Sequence, residues 1–505
     1  MTPHPSIATI GAPPACFNLA AYVLEAAQQN PDKVALRIVG DAQTDTWTYR
    51  RLCDAVVRTA GFLMAQGLTD GDRVLMRLGN TPDFPIVFLG AIYAGLVPIP
   101  TSTQLTVPEV TTIARETSPK IVIASDGVAR PLHNVPIHDA ATIANSTTEA
   151  PIGPALGDPH RPAYIVYTSG TSGKPRAVVH AHRAIWARRM MWDGWYGLTK
   201  DDRVLHAGAF NWTYTLGTGL LDPWAIGATA LIPASGTPAD HLPQLLADHN
   251  VTIFAGAPGV YRRLLRAQIP FCPQLRHGLS AGEKLPRVTA ETWTRKTGTP
   301  VCEAYGMSEC STFISTRPGR PSTGLGWPQP GRAVMLREQG ATVPAGETGQ
   351  IAIHKDDPGL MLGYLNAPIE TQSRFEGDWF LTGDLGHTGP GGAIYYDGRI
   401  DDMMNAGGYR VSPIEVEDVL TSHPTISEAA VCETRISADT TVMTAFYVSS
   451  DVLDEAELTT FAAQSMAAYK VPRQFIRLPH LPRGANNKIQ RQRLRRDWEA
   501  EHGQT

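Results

Sequence analysis

Residues 163–192 read AYIVYTSGTSGKPRAVVHAHRAIWARRMMW. A run of β-branched and aromatic residues comes first, then a loop of glycine, serine and threonine, then a helical pattern over 178–192. Strand, glycine-rich loop and helix in that order is the context in which backbone N–H groups converge on an anion. Gly170 and Gly173 permit close backbone approach, Thr168, Ser169, Thr171 and Ser172 add hydroxyl donors, and Lys174 adds charge. A surface linker has the same composition; the flanking strand and helix favour the phosphate loop. It is not a P-loop of the Walker kind, because Thr168 stands where that motif needs glycine and Pro175 stands where it needs a hydroxyl for magnesium.

Outward from this loop the chain alternates. RVLMRL (73–78), LVPIPT (96–101) and KIVIAS (120–125) read as strands separated by helical stretches, and AYIVY, RVLHAG (203–208), ATALIP (228–233) and VTIFAGA (251–257) continue the series. Short apolar runs between helices are the signature of βαβ units and parallel sheet. FPIVFLGAIYAGLVPIP (84–100) carries two prolines and reads as a buried helix running into a buried strand, not as a membrane span. Beyond about residue 340 the texture changes to short antiparallel strands with glycine turns, including GAIYYDGR (392–399). A smaller unit comes after it, with EAAVCETR and TVMTAFYVS as strands, DEAELTTFAAQSMAAY as a helix, RQFIRL as a strand and a basic tail. The expected fold class is α/β: a large N-terminal domain of α/β sheets with a small β-barrel-like subdomain over 1–400, then a small α+β C-terminal domain over 402–505.

Composition narrows the function classes. At 505 residues the chain exceeds what one core supports. Its 44 basic and 48 acidic residues give no electrostatic footprint for nucleic acid or for stable membrane association. Six cysteines form no CxxC pair and no metal-ligand spacing, which points to a reducing, cytoplasmic compartment. The N-terminus lacks the pattern of a signal peptide. Oligomeric state has no sequence signature here.

Further motifs come after the glycine-rich loop in order: SAGEKL (280–285), YGMSE (305–309), TGD (382–384), GRIDD (398–402), NAGGYRVSPIEVE (405–417), YKVP (469–472) and NNKIQR (486–491). Together they resemble the adenylate-forming superfamily of acyl-CoA synthetases, peptide-synthetase adenylation domains and firefly luciferases. Within it, AGE, GGYRVSPIEVE and YKVP are most similar to benzoate and other aryl-CoA ligases and to medium-chain acyl-CoA synthetases. The resemblance implies an ATP-dependent ligase in which a carboxylate attacks the α-phosphorus of ATP, pyrophosphate leaves, and the thiol of coenzyme A then displaces AMP. Such chemistry rests on positioning and charge stabilisation.

The same resemblance implies residue roles. Thr168 to Lys174 hold the β- and γ-phosphates; Tyr305, next to Gly306, stacks on adenine; Ser308 donates to the α-phosphate; and Glu309 holds Mg2+. Ala281, Gly282 and Glu283 pass beside the adenine, Asp384 accepts the ribose hydroxyls and Arg399 supports it. Lys488 bridges carboxylate and α-phosphate during adenylation. Asp401 is the hinge about which the C-terminal domain turns between the two half-reactions, and Gly407, Gly408 and Tyr409 then line the pantetheine tunnel. The chain departs from the pattern at Asn486-Asn487, where the superfamily commonly has Thr-Gly before the lysine. Asparagine tolerates positive φ better than other residues with a side chain, which keeps the turn accessible.

The acid pocket is expected along AFNWTYTLGTG (209–219), near Ala257, Ala281 and Met307. Trp212 and Tyr214 either pack in the core or shorten this pocket toward a flat ring or a short chain. No lysine or arginine occurs at 209–219 to pair with a second carboxylate, so a small monocarboxylate is the expected partner. Two other readings stand beside this one: an enzyme that loads a carrier protein instead of free coenzyme A, and an acyl-adenylate-binding protein weakened at Asn486-Asn487.

Overall fold

The computed structural model describes residues 11–40, 45–144, 152–168, 176–406, 409–437, 440–484 and 488–502. Packing divides the chain into two units, residues 1–333 with 354–375, and residues 334–353 with 376–505.

The first unit is built on a nine-stranded sheet. Its six inner strands are all parallel and lie in the order Val301–Met307, His277–Ala281, Ile253–Gly256, Arg203–His206, Thr229–Pro233 and Val34–Val39. Antiparallel strands flank this block, Ser311–Ser315 and then Trp327–Pro328 outside Val301–Met307, and Asp45–Thr48 outside Val34–Val39. A second, four-stranded parallel sheet pairs Val97–Pro100, Arg73–Arg77, Ile121–Ala124 and Ile137–Asp139 in that order. Its strands at 97–100 and 121–124 are buried throughout, as expected for parallel strands covered on both faces. The apolar run at 84–100 is the helix Asp83–Tyr93 leading into strand Val97–Pro100, and every helical residue from Phe84 to Ile92 is buried. Phe84 and Phe88 stack at 6.4 Å, and burying each phenylalanine side chain is worth roughly 1.5–3 kcal/mol.

Around the glycine-rich loop the structure corrects the sequence reading. Pro162–Thr168 is a strand, but the loop leads into a second strand, Arg176–Ala181, antiparallel to the first. The helix starts only at Ala184 and runs to Met191. RAVVHA carries β-branched residues at 178 and 179 and finds a ladder partner along its whole length, from Thr168↔Arg176 to Pro162↔Ala181. The hairpin belongs to a separate three-stranded sheet with Gly363–Tyr364, so AYIVY does not continue the parallel series.

In the second unit, Val334–Glu338, Trp379–Thr388 and Ile394–Arg399 belong to a six-stranded sheet, and its hairpin 379–399 is antiparallel. The strands Ile426–Ser437 and Thr440–Ser449 form another antiparallel pair, and Gln474–Arg477 adds in parallel. Helices Pro413–Thr421 and Glu455–Ser465 contribute Val416, Leu420, Leu458 and Ala462 to its core. The expected basic tail is a helix, Arg491–His502, whose Leu494 is buried with Phe446. Packing thus groups the antiparallel strands of 334–399 with the C-terminal residues, ahead of the cut expected at Asp401. A packing boundary and a hinge are different properties, since one counts neighbours and the other concerns movement. No helix among the described residues is long and apolar enough to cross a membrane.

Candidate active site

Parallel strands deliver the chain to one edge of their sheet, and open α/β sheets bind ligands beyond that carboxyl edge. Here the registers Ala255↔His206, Gly256↔Ser280 and Ala281↔Ala304 put the ends of four strands side by side. Residues far apart in sequence leave the sheet together at this edge: Ala257, then Ala281, Gly282 and Glu283, then Tyr305, Gly306 and Met307. Gly282 has φ +97°, and a Cβ there would sit 2.7 Å from the Trp212 ring. Only glycine lets that indole lie across the backbone. Trp212 stands edge-on to Tyr214 at 5.2 Å. Tyr214 itself is buried, donates its hydroxyl hydrogen to the Leu279 carbonyl at 3.0 Å and packs edge-on to His206. Of the two aromatics, Trp212 is half-buried and Tyr214 belongs to the core.

The turn after Tyr305 is gripped from several sides. Gly306 approaches the returning strand so closely that a Cβ would lie 2.2 Å from the Ser311 carbonyl oxygen. Ser311 takes φ +61°, a left-handed conformation that costs a non-glycine residue about 1 kcal/mol or more. His180, from the hairpin, lies 2.7 Å through Nε2 from the Ser308 carbonyl. A carbonyl only accepts, so Nε2 carries the proton. Burial pushes the His180 pKa down to about 4, so the ring is neutral and Nδ1 is a lone-pair acceptor. The buried Glu309 carboxylate accepts from the Tyr364 hydroxyl at 2.8 Å, while its carbonyl accepts from the Met361 N–H at 2.7 Å. Burial, with Glu309 second, drives the Tyr364 hydroxyl pKa far up, so it stays a donor.

Two arginines that the sequence did not single out complete the turn. Arg332 and Asp357 form a fully buried pair at 2.8 Å, and the same guanidinium donates to the carbonyls of Cys310 at 2.9 Å and Thr312 at 3.4 Å. Arg188, from the helix Ala184–Met191, pairs with buried Asp222 at 2.6 Å and also bonds Ser311 Oγ. It lies against the expected acid-pocket segment: a Cβ at Gly217 would be 2.2 Å from its guanidinium carbon. Nothing within residues 209–219 signals this cation, because it approaches from another helix.

The second unit holds Asp384 and Arg399 as cross-strand partners, joined at 3.0 Å. The Tyr396 hydroxyl reaches the same Asp384 oxygen at 3.3 Å, and the Asp384 N–H donates to Thr382 Oγ1 at 3.1 Å. Asp401 is exposed, 3.8 Å from Arg399. Lys488 is exposed, and its carbonyl accepts from the Gly484 N–H at 2.9 Å. Tyr409 pairs with Ala406 across the short strands Met404–Ala406 and Tyr409–Val411. Thr168 pairs with Arg176 at the end of the hairpin ladder. Ser169, Gly170, Thr171, Ser172, Gly173, Lys174, Gly407, Gly408, Asn486 and Asn487 lie outside the described residues.

Among the described residues no group of three His, Cys, Asp or Glu side chains could cage a metal ion. Magnesium bound through substrate phosphates needs only one or two carboxylates. Glu309, a buried carboxylate fixed by one hydroxyl, fits that kind of site.

Family models match two stretches of the chain: an AMP-binding enzyme over residues 23–365, and an AMP-binding enzyme C-terminal domain over residues 415–488. The chain belongs to the AMP-binding enzyme family. It is 31% identical to a benzoate–CoA ligase of Thauera aromatica, covering 94% of this chain and 92% of that protein. It is 29% identical to a mitochondrial acyl-coenzyme A synthetase of Rattus norvegicus, covering 96% and 92%. Among solved structures, a benzoate CoA ligase from Burkholderia xenovorans superimposes with a TM-score of 0.84 at 30% identity, over 95% of this chain and 100% of that one. An anthranilate CoA ligase in complex with anthranoyl-AMP superimposes with a TM-score of 0.86 at 25% identity, over 96% and 98%. This member of the family is an AMP-forming acid–CoA ligase, and its reaction uses ATP, Mg2+ and coenzyme A.

Proposed function

We propose that the acid activated is a small monocarboxylate, aromatic or of short to medium chain length, bound at the carboxyl edge of the parallel strands. The observation that carries this reading is the Trp212 indole lying across Gly282, which puts a bulky wall where the strand-end segments converge. The benzoate and anthranilate named for the similar proteins support the aromatic option.

In the first unit, Tyr305 stacks on adenine beside Ala281, Gly282 and Glu283, Ser308 donates to the α-phosphate, and Thr168 to Lys174 hold the outer phosphates. Glu309 holds Mg2+, whose charge offsets that of the phosphates. Ala257 and Met307 border the acid. Within the second unit, Asp384 accepts the ribose hydroxyls, with its carboxylate oriented by Arg399 and Tyr396. Exposed Lys488 neutralises the repulsion between carboxylate and phosphate as the acyl-adenylate forms. Asp401 is the hinge between the two half-reactions, and Gly407, Gly408 and Tyr409 line the thiol's path. Six unpaired cysteines support a reducing, cytoplasmic setting.

The test is pyrophosphate release with ATP and Mg2+ across benzoate, hydroxybenzoates, cinnamates and C2 to C12 acids, each with and without coenzyme A. One class of acid is expected to give release and a coenzyme A thioester by mass spectrometry. Lys488→Ala is expected to lower adenylation by roughly 100-fold or more, the scale of losing a group that stabilises charge in the transition state. Release without thioester would transfer the second half-reaction to a carrier protein. ATP binding with no release from any acid would favour the weakened acyl-adenylate binder.

A further inference from the structure

Asp222 and Asp357 are buried carboxylates flanking the turn after Tyr305, and each is balanced by an arginine. Glu309 in that turn is buried too, yet among the described residues the Tyr364 hydroxyl is its carboxylate's one partner, on Oε1 at 2.8 Å. A carboxylate kept charged in a buried place without a cation is costly, and a cation that comes in with the phosphates offsets that cost. Tyr364 is itself firmly held. Its N–H donates to Thr371 Oγ1 at 2.9 Å, and the N–H groups of Leu362 and Leu365 donate to the carbonyls of Val179 and Ala177, each at 2.8 Å. These bonds seat the segment on the strand Arg176–Ala181, where Tyr364 pairs with Val178. In the same segment the Met361 N–H donates to the Glu309 carbonyl at 2.7 Å. One short stretch of chain therefore fixes both the backbone and the side chain of Glu309. The strand it rests on starts at Arg176, the ladder partner of Thr168, and these two residues bracket the glycine-rich loop.

We propose that Tyr364 positions the Mg2+ ligand: its hydroxyl holds Oε1 of Glu309, leaves Oε2 for the metal, and ties that carboxylate to the strand that leaves the phosphate loop. The inference rests on the reading that Glu309 holds Mg2+. Magnesium demands near-ideal octahedral geometry at about 2.0–2.1 Å, so a ligand oxygen that is free to swing binds it poorly. A carboxylate with one oxygen held presents the other as a single ligand atom. Calcium is less demanding and often takes both oxygens of one carboxylate, at about 2.3–2.6 Å. Holding Oε1 thus favours Mg2+ over Ca2+. Tyr364 acts through Glu309 and touches neither metal nor phosphate.

The experiment measures ATP affinity by calorimetry without any acid, in EDTA, in Mg2+ and in Ca2+, so that no turnover enters the reading. The quantity read is the factor by which each metal tightens ATP. Tyr364→Phe removes one oxygen and keeps the ring. It should leave the metal-free affinity unchanged and lose most of the Mg2+ factor, on the scale of about tenfold for loss of a group that orients a metal ligand. The Ca2+ factor should fall less, so the ratio of the two drops. Para-aminophenylalanine in place of Tyr364 keeps a donor on the same ring and should restore the Mg2+ factor. Glu309→Gln tests the underlying reading and should remove the factor for both metals. If it does not, Glu309 is not the ligand and both readings fall. A Glu309→Gln that loses the factor beside a Tyr364→Phe that keeps it overturns the positioning role alone. A ratio of Mg2+ to Ca2+ that does not move overturns that role as well. So does a Tyr364→Phe that fails to fold or loses metal-free ATP binding to the same extent, because the hydroxyl then serves the fold.

Discussion

Two buried arginine–aspartate pairs flank the same turn, and they are not equivalent. Arg332–Asp357 is sealed, and its remaining donors grip the backbone carbonyls of Cys310 and Thr312. Arg188–Asp222 is equally charge-balanced, but its remaining donors go to the side-chain hydroxyls of Tyr196, Thr218 and Ser311, and it lines a cleft. Residue types and burial are alike in the two pairs. What separates the two pairs is the set of groups that each guanidinium touches beyond its carboxylate.

The largest effect that would sharpen this contrast is on stability. Removing one partner strands a buried charge, so Arg332→Leu should cost about 3–5 kcal/mol in denaturant unfolding. The double change Arg332→Leu with Asp357→Leu removes the charge but leaves two carbonyls without donors, so it should recover only part of that loss. Arg188→Leu with Asp222→Leu should come back to within about 1–2 kcal/mol of the parent, because only hydroxyls that can turn to one another lose a partner. Equal recovery in the two doubles would break the comparison.

Acid comes next. His180, beside these pairs, is held neutral by burial. Its folded pKa of about 4 lies below the unfolded value near 6.5, so between these the unfolded chain binds more protons. That stability is fully present above pH 6.5 and is lost as pH falls toward 4, by about 3 kcal/mol for this group. Buried His277, also near 4, and His182 and His206, near 3, act in the same direction. Melting temperature against pH is expected to fall through this window, and His180→Gln should flatten the slope.

A smaller effect concerns the approach of the second pair to the chain. Gly217→Ala pushes a methyl into the Arg188 guanidinium and should cost about 1–3 kcal/mol, with most of it relieved in the Arg188→Leu, Asp222→Leu background. The smallest effect is at Ser311. Ser311→Gly and Ser311→Ala both lose the bond to Arg188, but only glycine relaxes the φ of +61°. The glycine variant should be the more stable of the two by about 1 kcal/mol. Thermal unfolding measures both.

The adenylate-forming signature was legible because its chemistry sits in short, ordered motifs. Ala281 to Glu283, Tyr305 to Glu309, Asp384 and Lys488 could be named without a structure. The gathering of Ala257, Ala281 and Tyr305 at one edge was implicit in the alternation of strands and helices. The hairpin at 162–181 was misread because VVHA, taken alone, also opens a helical pattern, and only the ladder to Pro162–Thr168 selects the strand. The roles of His180, Arg188 and Arg332 were not legible. His180 meets Ser308 across 128 positions and Arg188 meets Ser311 across 123.

By itself the sequence determined the element types over most of the parallel sheets, the order of the motifs and the kind of chemistry they carry, since periodicity and side-chain identity are local properties. Tertiary structure decided the state of each group: a neutral histidine with one free lone pair, an arginine whose charge Asp222 balances, an indole laid across a glycine. Burial and hydrogen-bond partners set protonation, charge and free space, and here those partners come from segments more than thirty residues apart.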